Sequence, residues 1–296
     1  MSHPRREHRR SRRLLRQMDR AAARATAPGR REVPRAVVGL GVVVALAVGG
    51  GAALRSTGWE LADLAHPRAY VEVDGRAVAV PRPDASDGRL LPVVEAATTG
   101  SYVFLHTLDD GSPVGYDPCR PVRYVVRPDG MPSVGQALVD DAVAIVSAAS
   151  GIMIVAAGTT DEAPAMDRAI IQPDRYGDGW APVLIAWSDE GELPELAGAV
   201  AGVGGSAAVP GADRTGTWLA AGRLALDTAD LNAMLVRADG YQQARAIVVH
   251  ELAHVLGLDH VADPDELMHP ITSTRTDLGP GDLQGLALLG QVACEE

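Results

Sequence analysis

Lysine is absent from this chain, phenylalanine occurs once and cysteine twice, and each scarcity removes a class of protein. Two cysteines cannot build a disulfide-rich scaffold, although they can close one bridge. With aromatic residues at 4%, a core has to be assembled from Ala, Val, Leu and Ile, while a hydrophobic content of 47% excludes wholesale disorder. The 296 residues suffice for one or two domains with a sizeable core, and they contain no internal repeat. Every cation is an arginine, and the net charge of −11 hides a sharp division. Residues 1–35 hold 12 Arg against Glu7, Asp19 and Glu32, a balance of +9. Residues 55–296 hold 15 Arg against 35 acids, a balance of −20. So acidic a body repels phosphate, which excludes nucleic acid as its partner.

Between these halves lie 19 residues without a charge, 36–54 (AVVGLGVVVALAVGGGAAL). As a helix they extend about 28 Å, close to the roughly 30 Å hydrocarbon layer of a bilayer. We read them as one N-terminal transmembrane signal anchor, with 1–35 as an Arg-rich cytoplasmic tail and the rest of the chain outside the cell membrane. Cleavage near the small residues Gly51, Ala52 and Ala53 would instead release a secreted form. Ser11-Arg12-Arg13-Leu14-Leu15-Arg16 is similar to a twin-arginine export signal, but the apolar run starts roughly twenty residues later.

Residues 55–115 read as a juxtamembrane segment containing a hairpin, since 70–80 alternates around Asp74-Gly75. From residue 116 the pattern becomes α/β. Strands are predicted at 122–126, 152–156, 183–187 and 224–226, and helices at 133–150 with Ser133 as N-cap, at 241–256 and at 280–289. The Gly/Ala-rich stretch 196–211 suits a loop and a sheet edge.

The decisive segment is His250-Glu251-Leu252-Ala253-His254-Val255-Leu256-Gly257-Leu258-Asp259-His260. Residues i and i+4 of a helix lie one turn apart on one face, so His250 and His254 reach one ion together. Glu251, about 100° further round, can hold a metal-bound water without ligating the metal. Gly257 supplies the left-handed turn that brings His260 back. Three neutral imidazoles suit Zn2+ and leave a position open, as in catalytic rather than structural sites. Four of the eight histidines fall between 250 and 269.

The pattern His250-Glu251-x-x-His254-x-x-Gly257-x-x-His260 resembles the zinc signature of the metzincin metalloproteases, and Glu266-Leu267-Met268-His269-Pro270 resembles their Met-turn. The short gap to Met268 and the following Pro270 resemble the matrixin branch, particularly exported bacterial matrixin-like peptidases, over residues 116–294. This resemblance implies a zinc-dependent endopeptidase domain at 116–296, with a twisted mixed sheet, an antiparallel edge strand near 196–209 and long helices around a cleft. It implies His250, His254 and His260 as ligands of one catalytic Zn2+, Glu251 as general base, Met268 as the floor beneath the metal, and a protein or peptide substrate bound in extended form. The chain departs from the family in Val261, where Ser is usual, and in His269, where Tyr or Phe is usual. No Asp-x-Asp-x-Asp-Gly loop is present, and calcium stays open.

On the outer side of a membrane disulfides persist, and no third cysteine competes, so Cys119 and Cys294 are expected to join. The alternative for Cys119 is a thiolate ligand to zinc. Two other functions fit the same motif: a zinc amidase acting on cell-wall peptide bonds, and a catalytically silent zinc-containing binding domain. Glu251 argues against the second, because a structural site needs no base.

Overall fold

Residues 68–295, apart from 74, 85, 96 and 272–274, are described by a computed structural model. The expected tail at 1–35, the apolar span at 36–54 and the start of the 55–115 segment lie outside the described residues. Among those described, no helix is long and apolar enough to cross a membrane.

The alternation at 70–80 folds as the expected hairpin. Strands β1 (Tyr70–Val73) and β2 (Arg76–Ala79) pair antiparallel with Val73 opposite Arg76. Gly75 has φ +72°, a conformation that a two-residue turn demands and glycine adopts without strain. There follow β3 (Val103–Phe104), β4 (Val122–Arg127), α1 (Gly135–Ser150), β5 (Ile154–Thr159), α2 (Pro173–Tyr176) and β6 (Val183–Ser188). The second half runs β7 (Gly202–Pro210), β8 (Thr217–Asp227), α3 (Thr228–Leu235), α4 (Gly240–Leu256), β9 (Leu258–Asp259) and α5 (Pro280–Leu289). Five strands form one sheet in the order β5-β4-β6-β8-β7, parallel throughout except for β7, which runs antiparallel to β8 at the edge.

The side-chain period of two decides what each face of this sheet buries. Val122, Tyr124 and Val126 of β4, with Val183, Ile185 and Trp187 of β6, join the core formed with α1, α4 and α5. The intervening Val125, Leu184 and Ala186 pack on the other face, against Tyr176 of α2. β6 is buried along its whole length, as a strand covered on both sides must be.

The structure differs from the sequence expectations in several places. Ser133 does not cap α1: the chain enters through a turn in which the Gly135 N–H donates to Pro132 O at 2.8 Å, and the helix starts two residues after Ser133. β8 extends well beyond 224–226 because pairing to β6 and β7 supplies what its Ala- and Gly-rich sequence lacks in strand propensity. α3 was not expected, although Asp227 caps it by accepting from the Asp230 N–H at 2.7 Å. Val114 is buried in the main core, with Tyr102 and Phe104 packed against it.

Cys119 and Cys294 are bonded, with Cα atoms 5.6 Å apart across 175 residues of sequence. Around this clasp, Arg120 bonds the Asp117 carboxylate and donates to Glu295 O at 2.9 Å, and Trp218 Nε1 donates to Ala293 O at 2.9 Å. The bond therefore ties the entry to β4 to the segment after α5. Chain entropy puts the worth of so long a loop at about 5 kcal/mol. Cys119→Ser/Cys294→Ser should accordingly lower the urea midpoint and raise m, because the unlinked denatured chain exposes more surface; an unchanged midpoint would show the clasp to be dispensable.

Candidate metal centre

α4 runs through the core and is apolar on most sides, so its polar residues stand out. Glu251 and His254 are both 7% exposed. The helix ends at Gly257, where φ is +118° and the N–H donates to the carbonyls of Ala253 and His254 at 3.1 Å each. A Cβ here would lie 2.9 Å from Leu289 Cδ2 and 3.2 Å from Val114 O. Glycine thus satisfies both the backbone turn and the space around it. The reversal feeds β9 and returns His260 to the face of α4 that carries His250 and His254.

The three Nε2 atoms converge: His250 to His254 is 3.1 Å, and His260 lies 3.2 Å from each. His250 Nδ1 donates to Leu267 O and His254 Nδ1 to Leu258 O, both at 2.7 Å. Those carbonyls fix the tautomer and turn both Nε2 lone pairs inward. Burial drives the His250 imidazole down to about 3, helped by His254 and opposed by the Leu267 carbonyl. Burial likewise takes His254 down to about 4, and lowers His260. Near neutral pH the triad is uncharged, with three lone pairs facing one point. Tetrahedral donors at about 2.0–2.1 Å from an ion stand about 3.3 Å apart, so the triad fits Zn2+ closely.

Two buried carboxylates brace the segment after His260. Glu266, 2% exposed, accepts from the N–H of Gly281 at 2.8 Å and of Asp282 at 3.1 Å. Asp282, 1% exposed, accepts from Leu267 N–H at 2.5 Å, Gly279 N–H at 2.8 Å and Met268 N–H at 3.3 Å. Burial raises the Asp282 carboxyl, and these amides oppose the rise. The Met268 turn is thereby latched to the start of α5, and Leu267 O is held where it orients His250. Met268 itself is buried, and its carbonyl accepts from Val261 N–H at 3.1 Å.

Glu251 is pushed by burial up to about 8, opposed by a bond from the Gly204 amide. That amide belongs to the edge strand β7, which crosses α4 at this point. A Cβ on Gly204 would collide with the Glu251 backbone carbonyl, and one on Gly202 would lie 2.8 Å from Glu251 Cγ. The two glycines let the strand approach the acid. A cleft of about 460 Å³ opens here, lined by the triad, Glu251, β7 from Gly202 to Gly204, Ile247, Pro270 and Leu105. A larger hollow of about 740 Å³ near Trp180 and Trp218 holds no converging donors of this kind.

His250, Glu251, His254, His260, Gly257, Met268 and Pro270 thus gather as their spacing predicts. His269 is half-buried on the cleft wall with Nδ1 near the backbone of Ile271, outside the triad. Cys119 does not face the triad as a thiolate, because its sulfur is bonded to Cys294. Among the described residues, the other donor cluster is Asp117, Cys119 and Cys294, and that disulfide occupies it. Sequence reasoning missed Gly202, Gly204 and the carbonyls of Leu258 and Leu267.

An uncharged three-histidine donor set beside a buried carboxylate and an exposed strand edge is the equipment of a zinc hydrolase acting on peptides. Residues 197–289 match the matrixin family profile, so that segment, which carries the triad and Glu251, is similar to the zinc metalloendopeptidases of that family. Comparison with the curated proteins found no match. Among solved structures, high choriolytic enzyme 1 from Oryzias latipes (medaka fish), a hatching enzyme zinc-protease, is similar at 12% identity. The similarity covers 67% of this chain and 99% of that one with a TM-score of 0.30, too low to carry weight.

Proposed function

We propose that the chain is a membrane-anchored, outward-facing endopeptidase in which His250, His254 and His260 hold one catalytic zinc and Glu251 is the general base. The convergence of three neutral Nε2 atoms beside Glu251 carries this reading. Zinc bound there supplies Lewis acidity, polarising the scissile carbonyl and making water a stronger acid. Glu251 takes the proton from the attacking water and returns it to the leaving amine. Its burial raises its basicity, and a dication nearby would bring the value back down towards neutrality. β7 offers the unpaired edge of an antiparallel strand, so an extended peptide can add to it through backbone hydrogen bonds. Gly202 and Gly204 keep that edge near Glu251, so a peptide added there would carry its scissile bond past the base.

The direct test is digestion of casein and of a peptide library, with and without a chelator. Chelator-sensitive cleavage within the peptides is expected. Cleavage of cell-wall fragments alone would favour the amidase, and cleavage of neither would favour a binding domain.

Anchoring rests on the uncharged run 36–54 and the +9 tail before it. The protein should therefore stay with membranes through a high-salt wash and keep its N-terminus. A soluble exported form beginning near residue 54 or 55 would show instead that the segment is a cleaved signal.

A further inference from the structure

Residues 98–105 lie outside both the family-matched segment and the domain expected from the sequence, yet they run along the supports of the triad. Thr98 Oγ1 donates to Pro280 O at 2.8 Å, and Gly100 N–H to Gln284 Oε1 at 3.2 Å. Gly100 is packed so closely that a Cβ would collide with Gly281 and with the Glu266 carboxylate, the group that latches the Met268 turn. Ser101 Oγ donates to Asp263 Oδ2 at 3.3 Å, and Tyr102 packs on Gly285. β3 then pairs antiparallel with β9, Val103 opposite Asp259 and Phe104 opposite Leu258. The Leu105 N–H closes the set on Gly257 O at 2.8 Å, and its side chain enters the cleft.

The position of β9 gives this pairing its consequence. Leu258 O is the acceptor that orients His254, and His260 follows Asp259 directly. Among the described residues β9 has β3 as its one strand partner. If the turn 257–260 were free to shift, it would carry one ligand and misorient another. We propose that residues 103–105 are a positioning strand for His254 and His260, so that the metal affinity of the triad is set in part from outside residues 197–289. This rests on the triad being the zinc site. It assigns to the segment a role that a merely covering loop lacks: the strand and the metal stabilise the same turn, so each should tighten the other.

The test compares full-length wild type, Leu105→Pro and Leu105→Ala, with zinc affinity measured by chelator competition and ligand geometry by the visible spectrum after cobalt substitution. Leu105→Pro removes the N–H given to Gly257 O. It should weaken zinc binding about tenfold or more, the usual cost of losing a group that orients a ligand, and alter the cobalt spectrum. Leu105→Ala keeps the donor and should bind zinc as wild type does. A folded Leu105→Pro chain with wild-type affinity and spectrum would overturn the proposal. Should that variant not fold, hydrogen exchange in the wild type decides: zinc should slow the Leu105 amide selectively over the amides of β5, and equal effects on both would overturn it. A wild-type chain that binds no zinc would overturn the reading of the triad itself, an outcome distinct from the others.

Discussion

Glu251→Ala should keep its zinc and lose turnover by a factor of about 10² to 10⁴, the usual contribution of a general base. The two effects separate because Glu251 lies beside the donor set without belonging to it: the converging atoms are the Nε2 nitrogens of the three histidines. The edge strand loses the bond from its Gly204 amide to the carboxylate but stays paired to β8 along its length, so it keeps its place. The loss should therefore fall on kcat more than on KM, as expected for an interaction that matters in the transition state. Wild-type turnover in the variant would remove Glu251 from the mechanism. Loss of zinc along with activity would make it a support of the metal.

Arg168→Met should be the most destabilising single change outside the site. Arg168 and Glu162 are 9% and 7% exposed, and the guanidinium bonds the carboxylate through Nε at 2.8 Å and Nη2 at 2.9 Å. Nη1 reaches the carbonyls of Ala221 and Gly222 at 3.3 and 3.2 Å, while Gln172 and Tyr176 complete the bonding of Glu162. The segment between β5 and β6, which carries Met166 into the cleft wall, is thereby tied to β8. Stranding one charge of such a pair costs about 3–5 kcal/mol, or roughly 10 °C in a domain of this size. Glu162→Gln/Arg168→Met should recover part of the loss, because no uncompensated charge remains. A single variant within 1 °C of wild type would contradict this account. Burial pushes the Glu162 carboxyl up, but its bonds to Arg168, Gln172 and Tyr176 hold it below its ordinary value overall. Its contribution is therefore complete above the unfolded value of about 4.3 and fades as the pH falls through the lower folded value.

Much of this architecture was legible because it is local. His250, Glu251 and His254 need only the helical period, and Gly257 needs only the left-handed turn that returns His260. β6 declared itself through an unbroken apolar run, and the Asp-Gly pair declared the hairpin. The Gly/Ala-rich β7 and β8 were harder, because their strand character comes from pairing rather than from propensity. The approach of Gly202 and Gly204 to Glu251 joins residues some fifty apart and leaves no local trace. The same holds for Arg168 on the carbonyls of β8 and for Val103–Phe104 on β9. Their effect on the site depends on topology that spacing along the chain does not report.

If the three histidines hold the catalytic metal, zinc content follows their number. After exhaustive removal of loose metal, the full-length wild type should retain about one zinc per chain and His254→Ala close to none, since two imidazoles make a poor site. Equal zinc in the two proteins would show that the metal is held elsewhere.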